Sequence, residues 1–419
     1  MNKVKVLVIG GGGREHALAH AFARSARCEK VFVSPGNAGI ALEYPCVMLP
    51  DREKIYEFCL DEGIGMVFIG PEQPIAEGLS DYLVAKGVRV LAPSMAAARL
   101  ESSKAFAKEI MQSCAAPCAK FRMIKSSEEA GEILPTLALP IVLKADGLAA
   151  GKGVIIAYDH DEAQEACNEL LAAQCGAEGV LAEEYLEGWE ASLFVFSDGD
   201  GFCTTVFAQD HKQLLDNDKG PNTGGMGAFC PVAEAEPYRR KVEEKIVAPV
   251  LTEMKKRGNP YFGILYVGLM MTARGAHVIE FNCRFGDPEA QAVLPMLKTD
   301  FVELCEAMFE GKVGQINLDW ESGSCVAVIM AAEGYPGTYV KSLPISISEL
   351  EGRVYYSGVT KGENGLISSG GRILAVVNGG EDLKSAREKA YADLGRISIP
   401  QSVYRKDIGT RINRISRVE

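Results

Sequence analysis

Nothing in the sequence is apolar for long enough to cross a bilayer: stretches such as Ile264 to Met271 fall far short of the ~18–20 residues a spanning helix needs. Basic residues are also scarce, with 44 Lys+Arg against 56 Asp+Glu, a net charge of −12 and no long basic run. That balance argues against a general nucleic-acid surface, so anionic ligands must be held by local basic groups. The twelve cysteines lack the paired CxxC spacing of a zinc or redox motif and read as small buried hydrophobes with free thiols. Cys114 and Cys118 are four apart, but Pro117 between them argues against a shared metal. No signal-peptide pattern opens the chain, since a strand signal runs straight into a glycine turn, and the expected location is the cytoplasm. Internal repeats and low-complexity tracts are missing too.

What is present is an ordinary globular composition, 47% hydrophobic and 24% charged, in 419 residues that should divide into two to four domains. The first hundred residues alternate apolar strand signals (KVKVLVIG, KVFVSP, MVFIGPE, VRVLAPS) with helical patterns such as EHALAHAFARSA. Strands joined by crossover-length helices predict a parallel, Rossmann-like sheet. Helical text from Ser94 to about Met111 leads to a second unit with strands at Ile141–Asp146, Val180–Leu186 and Ser192–Asp198. Asp210 to Phe229 is polar and glycine-rich, reads as a long loop, and is for that reason a functional candidate. After a helical stretch from Pro237 to Arg257 and strands in GILYVGLMMT and HVIEFNCRFG, a smaller unit begins at about Cys325. The fold class is therefore α/β and α+β, in several domains.

The turn VLVIGGGGREHA invites a dinucleotide reading, which wants G-x-G-x-x-G after the first strand and an acid ending the second. Gly10 and Gly12 fit, but Glu15 stands at the third glycine and Ser34-Pro35-Gly36 ends the second strand without a carboxylate. Gly36-Asn37-Ala38-Gly39 and Gly70-Pro71-Glu72 supply further loops at strand ends, where open α/β sheets bind ligands. A phosphorylated small molecule suits that crevice better than a nicotinamide cofactor, with Glu72 placed to accept from sugar hydroxyls. His16 and His20 do not form the HExxH of zinc proteases; the expectation is His16 near the ligand and His20 on the helix surface.

A second constellation lies further on. IVLKADGLAAGKGV sets Lys144 at a strand end, followed by Gly151, Lys152 and Gly153, a combination suited to clamping phosphate. In VLAEEYLEGWEAS the backbone of the strand edge from Glu183 and Glu184 to Leu186 could read an adenine edge, and Glu190 could hold ribose hydroxyls. Glu280 and Asn282 are i and i+2 in HVIEFNCRFGDPE, so on a strand both oxygens share one face and can reach one hard cation such as magnesium. Arg284 follows on the same face and could neutralise a transferring phosphoryl group.

The segments GGGGREHAL, PGNAG, GPEQPIAEG, LESSKAF, KADGLAAGKGV, EEYLEGWEAS, AQDHK, GPNTGGMGAF, EFNCRFGDPEAQ and YRKDIG together resemble the phosphoribosylamine–glycine ligase family of the ATP-grasp superfamily, along essentially the whole chain. The resemblance implies a Rossmann-like substrate domain at 1–103, an ATP-grasp region at 104–324 with a mobile lid at about 123–192, and a small α+β domain at 325–419. It implies a monomer that ligates glycine to 5-phosphoribosylamine with ATP through glycyl phosphate, using Mg2+ or Mn2+ at Glu280 and Asn282, in purine synthesis, without nucleic-acid or membrane partners. Lys104 and Lys144 would contact ATP phosphates. Gly12, Gly13, Arg14, Glu15, Asn37, Gly39, Glu72 and the run Thr223, Gly224, Gly225, Met226, Gly227 would bind substrate. Arg284 and Lys212 would serve the reaction, and Asp210 or Asp287 would take the amine proton. Two departures stand out: Gln213 follows AQDHK where the family usually has Arg, and GLMM (Gly268 to Met271) lacks the earlier acidic metal ligand of many ATP-grasp enzymes. That second absence is shared by this family; another ATP-grasp carboxylate–amine ligase is the alternative reading, and a nicotinamide oxidoreductase or a nucleotide sensor is more distant.

Overall fold

Residues 3–148, 153–172 and 179–410 are described in the computed structural model. The opening apolar run forms β1 (Val4–Gly10), which lies between β2 (Cys28–Pro35) and β3 (Ile64–Ile69), with β4 (Val90–Leu91) beyond β3. All three pairings are parallel. Val6, Leu7 and Val8 are fully buried, as a central parallel strand covered on both faces requires, which is why the run is continuous rather than alternating. The predicted helix from Ser94 to Met111 is broken at Ser103. A short helix, Arg99–Ser102, ends there, and the Ser103 hydroxyl accepts from Phe106 N to start the helix Lys104–Ser113. This break places Lys104 in a first turn, from which its Nζ donates to Gly147 O at 2.9 Å.

The next unit is a four-stranded antiparallel sheet of β5 (Phe121–Ile124), β6 (Ile141–Ala145), β7 (Val154–Ala157) and β8 (Val180–Glu184), in the order β5–β8–β6–β7. With the helices Ser127–Ile133 and His160–Ala172 it closes its own hydrophobic cluster, including Ile124, Leu143, Cys167 and Val180. Its sheet ends at Glu184. Trp189 to Ser192, which the sequence assigns to the lid, already belong to β9 (Trp189–Asp198) in the neighbouring sheet.

The segment from Asp210 to Phe229 is not the structureless loop its composition suggests. After β10 (Phe202–Thr204) it provides β11 (Gln209–Asp210), a hairpin of β12 (Gln213–Leu215) and β13 (Lys219–Asn222), and β14 (Gly227–Cys230), which is buried throughout. No local periodicity announces β14 because its partner lies a hundred residues on: it pairs with β17 (Ser324–Ala332). Before that, the long strands β15 (Phe262–Thr272) and β16 (Gly275–Asn282) complete the sheet β10–β9–β15–β16. The last sheet runs β11, β14, β17, Arg372–Gly380, Arg353–Tyr356, with Ser402–Val403 also on β17. The boundary read at 325 therefore divides the chain but not this sheet.

His16 and His20 also depart from expectation. Instead of facing a ligand, His16 is fully buried: Nε2 lies 3.2 Å from Glu43 Oε1, and Nδ1 accepts from Tyr356 N at 3.1 Å. Arg353 Nη2 donates to His20 Nδ1 at 2.8 Å, so both histidines join the first helix to the strand Arg353–Tyr356. Among the described residues the cysteines are free thiols, no cluster of three or more His, Cys, Asp or Glu could hold a metal, and no helix is long and apolar enough to cross a membrane.

Candidate active site

At the glycine turn, Gly10 adopts φ +124°, a region that favours glycine, and a Cβ on Gly11 would sit 2.5 Å from Gly36 O. Glu15 fills the space that a third glycine would leave open. Its Oε2 accepts from Gly12 N at 2.7 Å and its Oε1 from Arg14 Nε at 2.6 Å. Gly13 N donates to Ser357 Oγ at 3.1 Å. The Gly12 and Gly13 amides, named from sequence as ligand donors, are thus already satisfied by side chains. Buried Arg14 spans from Phe285 O, at 3.2 Å, to Glu72, at 4.0 Å. Asn37 does not extend its amide to a ligand either: Nδ2 donates to Gly11 O, Tyr356 O and Ser357 O, while Oδ1 accepts from Gly39 N and Ile40 N. Asn37 shapes the loop, and Gly39 lets Tyr356 approach, since a Cβ there would lie 2.2 Å from that ring.

Asp287 links this turn to the rest of the site. A Cβ on Gly12 would lie 3.6 Å from Asp287 Oδ2. Gln291 Nε2 donates to Asp287 Oδ1 at 2.6 Å, and Arg372 Nη2 pairs with Oδ2 at 3.1 Å. Arg372 Nη1 also donates to Gly224 O at 2.6 Å and to Asp287 O at 2.8 Å, while Gly224 N donates to Tyr335 Oη at 2.9 Å. Gly225, at φ +106°, packs so tightly on Pro288 that a Cβ would come within 2.4 Å of its ring. Thr223 Oγ1 accepts from Gly225 N and donates to Lys212 O. Met226 and Gly227 are buried behind this layer, Met226 N donating to His211 O.

The other half of the site is built on charge. Lys144 Nζ donates to Ile279 O at 3.0 Å and pairs with Glu183 at 2.9 Å; the opposite Glu183 oxygen lies 2.9 Å from buried Lys108. Burial opposes ionisation of Glu183, yet Lys144 and Lys108 hold its carboxyl below the usual range. The Glu183 carboxylate is therefore a strut for Lys144. Glu184 accepts from Lys120 N and Arg274, and Leu186 is buried. Glu190, expected to hold ribose hydroxyls, pairs with Lys212 at 2.7 Å. Gly151 and Lys152 lie outside the described residues; Gly153 is buried, its carbonyl accepting from Ala145 N at 2.9 Å.

Glu280 stands on β16 two residues before Asn282, and its carboxylate faces Lys212 at 3.9 Å. Burial works against its charge, but Lys212, Lys144, Lys104 and Arg284 together hold the carboxyl below its ordinary range. Burial lowers Lys104 in turn, Glu280 pulling the other way. Four cations around one carboxylate make a site ready for polyphosphate, and the oxygen pair Glu280 and Asn282 has the donor chemistry that suits a hard divalent ion. Arg284 is not free to meet a phosphoryl group: it donates to Glu101 at 2.7 Å, Glu72 at 3.1 Å and Asn282 Oδ1 at 3.3 Å. Burial, opposed by Lys212 and reinforced by Glu289, Glu190 and Glu280, pushes Asp210 well above the usual carboxylate range. Asp287 is instead ion-paired, with Arg372.

Sequence reasoning missed Glu101, Lys108, Gln291, Tyr335 and Arg372. Glu101 stands in LESSKAF beside the helix break, a local signal that could have found it. Nothing near Arg372 or Tyr335 in sequence points to Asp287 or Gly224, because only the last sheet brings them there.

Comparison with known proteins gives the chain a family. Three family models cover the chain in order: the phosphoribosylglycinamide synthetase N domain at residues 4–101, its ATP-grasp (A) domain at 102–290 and its C domain at 325–411. A phosphoribosylamine–glycine ligase from Caldanaerobacter subterraneus subsp. tengcongensis is 44% identical over 413 residues, covering 97% of this chain and 99% of its own length. The crystal structure of phosphoribosylamine–glycine ligase from Thermotoga maritima superposes with a TM-score of 0.86 at 32% identity, covering 97% of this chain and all of that one. The fold alone extends to a Hydrogenobacter thermophilus biotin carboxylase domain solved with MgADP and bicarbonate, at 16% identity and a TM-score of 0.73 over 96% of this chain and 92% of that one. With all three domains matched in order and a close relative aligned from end to end, the chain belongs to the phosphoribosylglycinamide synthetase family.

Proposed function

We infer that this chain joins glycine to 5-phosphoribosylamine at the expense of ATP, giving glycinamide ribonucleotide, ADP and phosphate in purine biosynthesis. The observation that carries the reading is the convergence on Asp287: the Gly12 turn, the Gly224-Gly225 loop and Arg372 all meet it. The cation ring around Glu280 supplies the nucleotide side. We assign the domains as 1–103 for substrate, 104–324 for ATP-grasp with a lid from about 123 to the end of β8 at Glu184, and 325–419 at the C-terminal end.

A carboxylate is a poor acyl donor, because its leaving group would be oxide. In the first step a glycine carboxylate oxygen attacks the γ-phosphorus of ATP and ADP leaves. Lys104 and Lys144 neutralise the phosphates, and Lys212 turns from Glu190 and Glu280 toward the same charge, so positioning and electrostatics carry the transfer. Glu280 and Asn282 would hold Mg2+ or Mn2+, which when bound would supply positive charge to offset that of the phosphates. Arg284 acts chiefly by fixing Asn282 against Glu101 and Glu72, a correction to the direct role its position in sequence suggests. In the second step the amine of phosphoribosylamine attacks the acyl carbon, the carbon–oxygen bond to phosphate breaks, and phosphate departs. Asp287 adjoins the Gly12 turn and takes the proton that the new amide nitrogen loses. Glycyl phosphate is destroyed by water, so the β5–β8 unit closes over it.

The enzyme acts as a cytoplasmic monomer on small molecules, without nucleic-acid or membrane partners. Because phosphoribosylamine is short-lived, the test runs backward: purified protein with glycinamide ribonucleotide, ADP, phosphate and magnesium should form ATP. No ATP formation, together with no glycine-dependent ADP release in the forward direction, sinks the reading. A requirement for bicarbonate or formate in place of glycine would favour a different ATP-grasp enzyme.

A further inference from the structure

The closing YRKDIG motif makes none of the phosphate or substrate contacts described above, yet it holds the most completely buried arginine among the described residues. The Arg405 side chain has no exposure to solvent. Its Nε donates to Asp407 Oδ1 at 2.8 Å, Nη2 donates to Asp407 Oδ2 and Asp218 Oδ1, both at 2.9 Å, and Nη1 donates to Gln213 O at 3.1 Å. Main-chain groups extend the clamp: Lys406 N donates to Asp216 Oδ1 at 2.7 Å and Asn217 N to Asp407 Oδ2 at 2.8 Å. All three residues at the tip of the β12–β13 hairpin are thus seated in the motif. Asn217 and Asp218 both adopt left-handed φ, +64° and +54°, which Asn and Asp tolerate best among residues with a side chain.

This hairpin has little core of its own, since β13 is exposed along its length and a lone two-stranded hairpin is marginal in water. Its position must come from what grips it. One leg carries Lys212, directly before the Gln213 carbonyl that Arg405 holds, and the other runs into Thr223, Gly224 and Gly225. Thr223 N and Oγ1 both donate to Lys212 O, each at 2.8 Å, tying the two legs together at the base. Lys212 reaches Glu190 and Glu280, whereas Gly224 and Gly225 meet Arg372 and Pro288. The hairpin therefore joins the nucleotide half of the site to the substrate half, and the clamp lies at its far end.

We propose that Arg405, with Asp218 and Asp407, is a positioning residue for ligation: it sets the hairpin so that Lys212 and the Gly224-Gly225 turn are aligned at once. The inference rests on the ligase reading and adds to it a required contribution from the C-terminal motif.

The test uses the full-length chain with Asp218→Asn and Arg405→Lys. Asp218 is half exposed, and its neutralisation leaves Arg405 paired with Asp407, so that variant should fold with an unchanged circular dichroism spectrum. We expect its ADP dissociation constant to stay within about twofold of wild type while kcat falls about tenfold, as misplacement of reacting groups demands. Asp218→Asn should cost clearly less than tenfold when added to Lys212→Ala, because part of its effect runs through Lys212, a coupling that general loosening of the fold would not give. Wild-type kcat in Asp218→Asn and Arg405→Lys, or independent effects in the double variant, overturns the proposal. If the wild type itself shows no glycine-dependent ADP release, the ligase reading fails separately. The clamp is then judged by hydrogen exchange at the Thr223 and Met226 amides, faster in Asp218→Asn if it sets the hairpin and unchanged if it does not.

Discussion

Replacing Glu280 by Gln removes one negative charge from the centre of four cations while keeping the shape of the side chain and one oxygen donor. The cost to folding can be bounded from the structure. Lys212 Nζ is 3.9 Å from Glu280 Oε1, and at an effective dielectric of ~20 such a pair interacts by about 4 kcal/mol before solvent is considered. The two side chains are 29% and 39% exposed, so screening reduces the net loss to about 1 kcal/mol or less. That corresponds to a fall in Tm of no more than about 2–4 °C. The cost to catalysis is of another order. A bound divalent ion contributes several kcal/mol of charge stabilisation to phosphoryl transfer. Weakening its hold by about 4 kcal/mol lowers turnover about a thousandfold at fixed magnesium. Thermal unfolding and glycine-dependent ADP release, measured on the same preparation, separate the two. Turnover within about threefold of wild type at the same magnesium concentration would remove Glu280 from the metal site, whatever happened to Tm.

Gly12→Val places methyl groups between Glu15 Oε2, 3.0 Å from the new Cβ, and Asp287 Oδ2, at 3.6 Å. It should raise KM for phosphoribosylamine at least about tenfold and leave ADP binding unchanged; weakened ADP binding would move the turn to the nucleotide side. Arg372→Ala removes the side chain that ties Asp287 to Gly224, so kcat should fall about a hundredfold with a small change in KM for ATP, and an equal loss in both would contradict the division of the site. Burial, then the charge of Arg353, lowers His20 from its ordinary 6.5 to about 4. A histidine depressed in the folded state binds its proton more readily when unfolded, so stability is full above about pH 6.5 and is lost progressively as pH falls toward 4, on the order of 3 kcal/mol in all. Tm followed from pH 7 to pH 4 should drop less steeply in His20→Gln than in wild type; identical slopes would exclude the histidine.

How much of this was legible in the sequence depends on how far apart the cause and the effect lie along the chain. The parallel sheet around β1 was readable because a doubly covered strand writes its burial as an unbroken apolar run, and Val6 to Ile9 do so. Glu280 and Asn282 were readable as one face because alternation within a strand needs only two residues of context. β14 was not, since Gly227 to Cys230 owe their burial to β17, and a four-residue strand beginning in a glycine run has no periodicity to show. The misassigned roles share a cause of a different kind. Lysine and glutamate at plausible spacing predict that a charge sits in the site, but not which opposite charge holds it there. Glu183 serves Lys144, Glu101 and Glu72 serve Arg284, and Glu190 serves Lys212, each pair meeting across different elements. A site that must receive a tetra-anionic nucleotide cannot leave its cations bare in a partly buried cleft, because unpaired buried charge is costly. Some carboxylates named as ligand contacts, Glu190 among them, are thus better understood as the partners that lysines exchange for phosphate. The same cost explains why Lys144, Lys212 and Arg284, near Glu280, each carry a carboxylate partner from another element before ATP arrives.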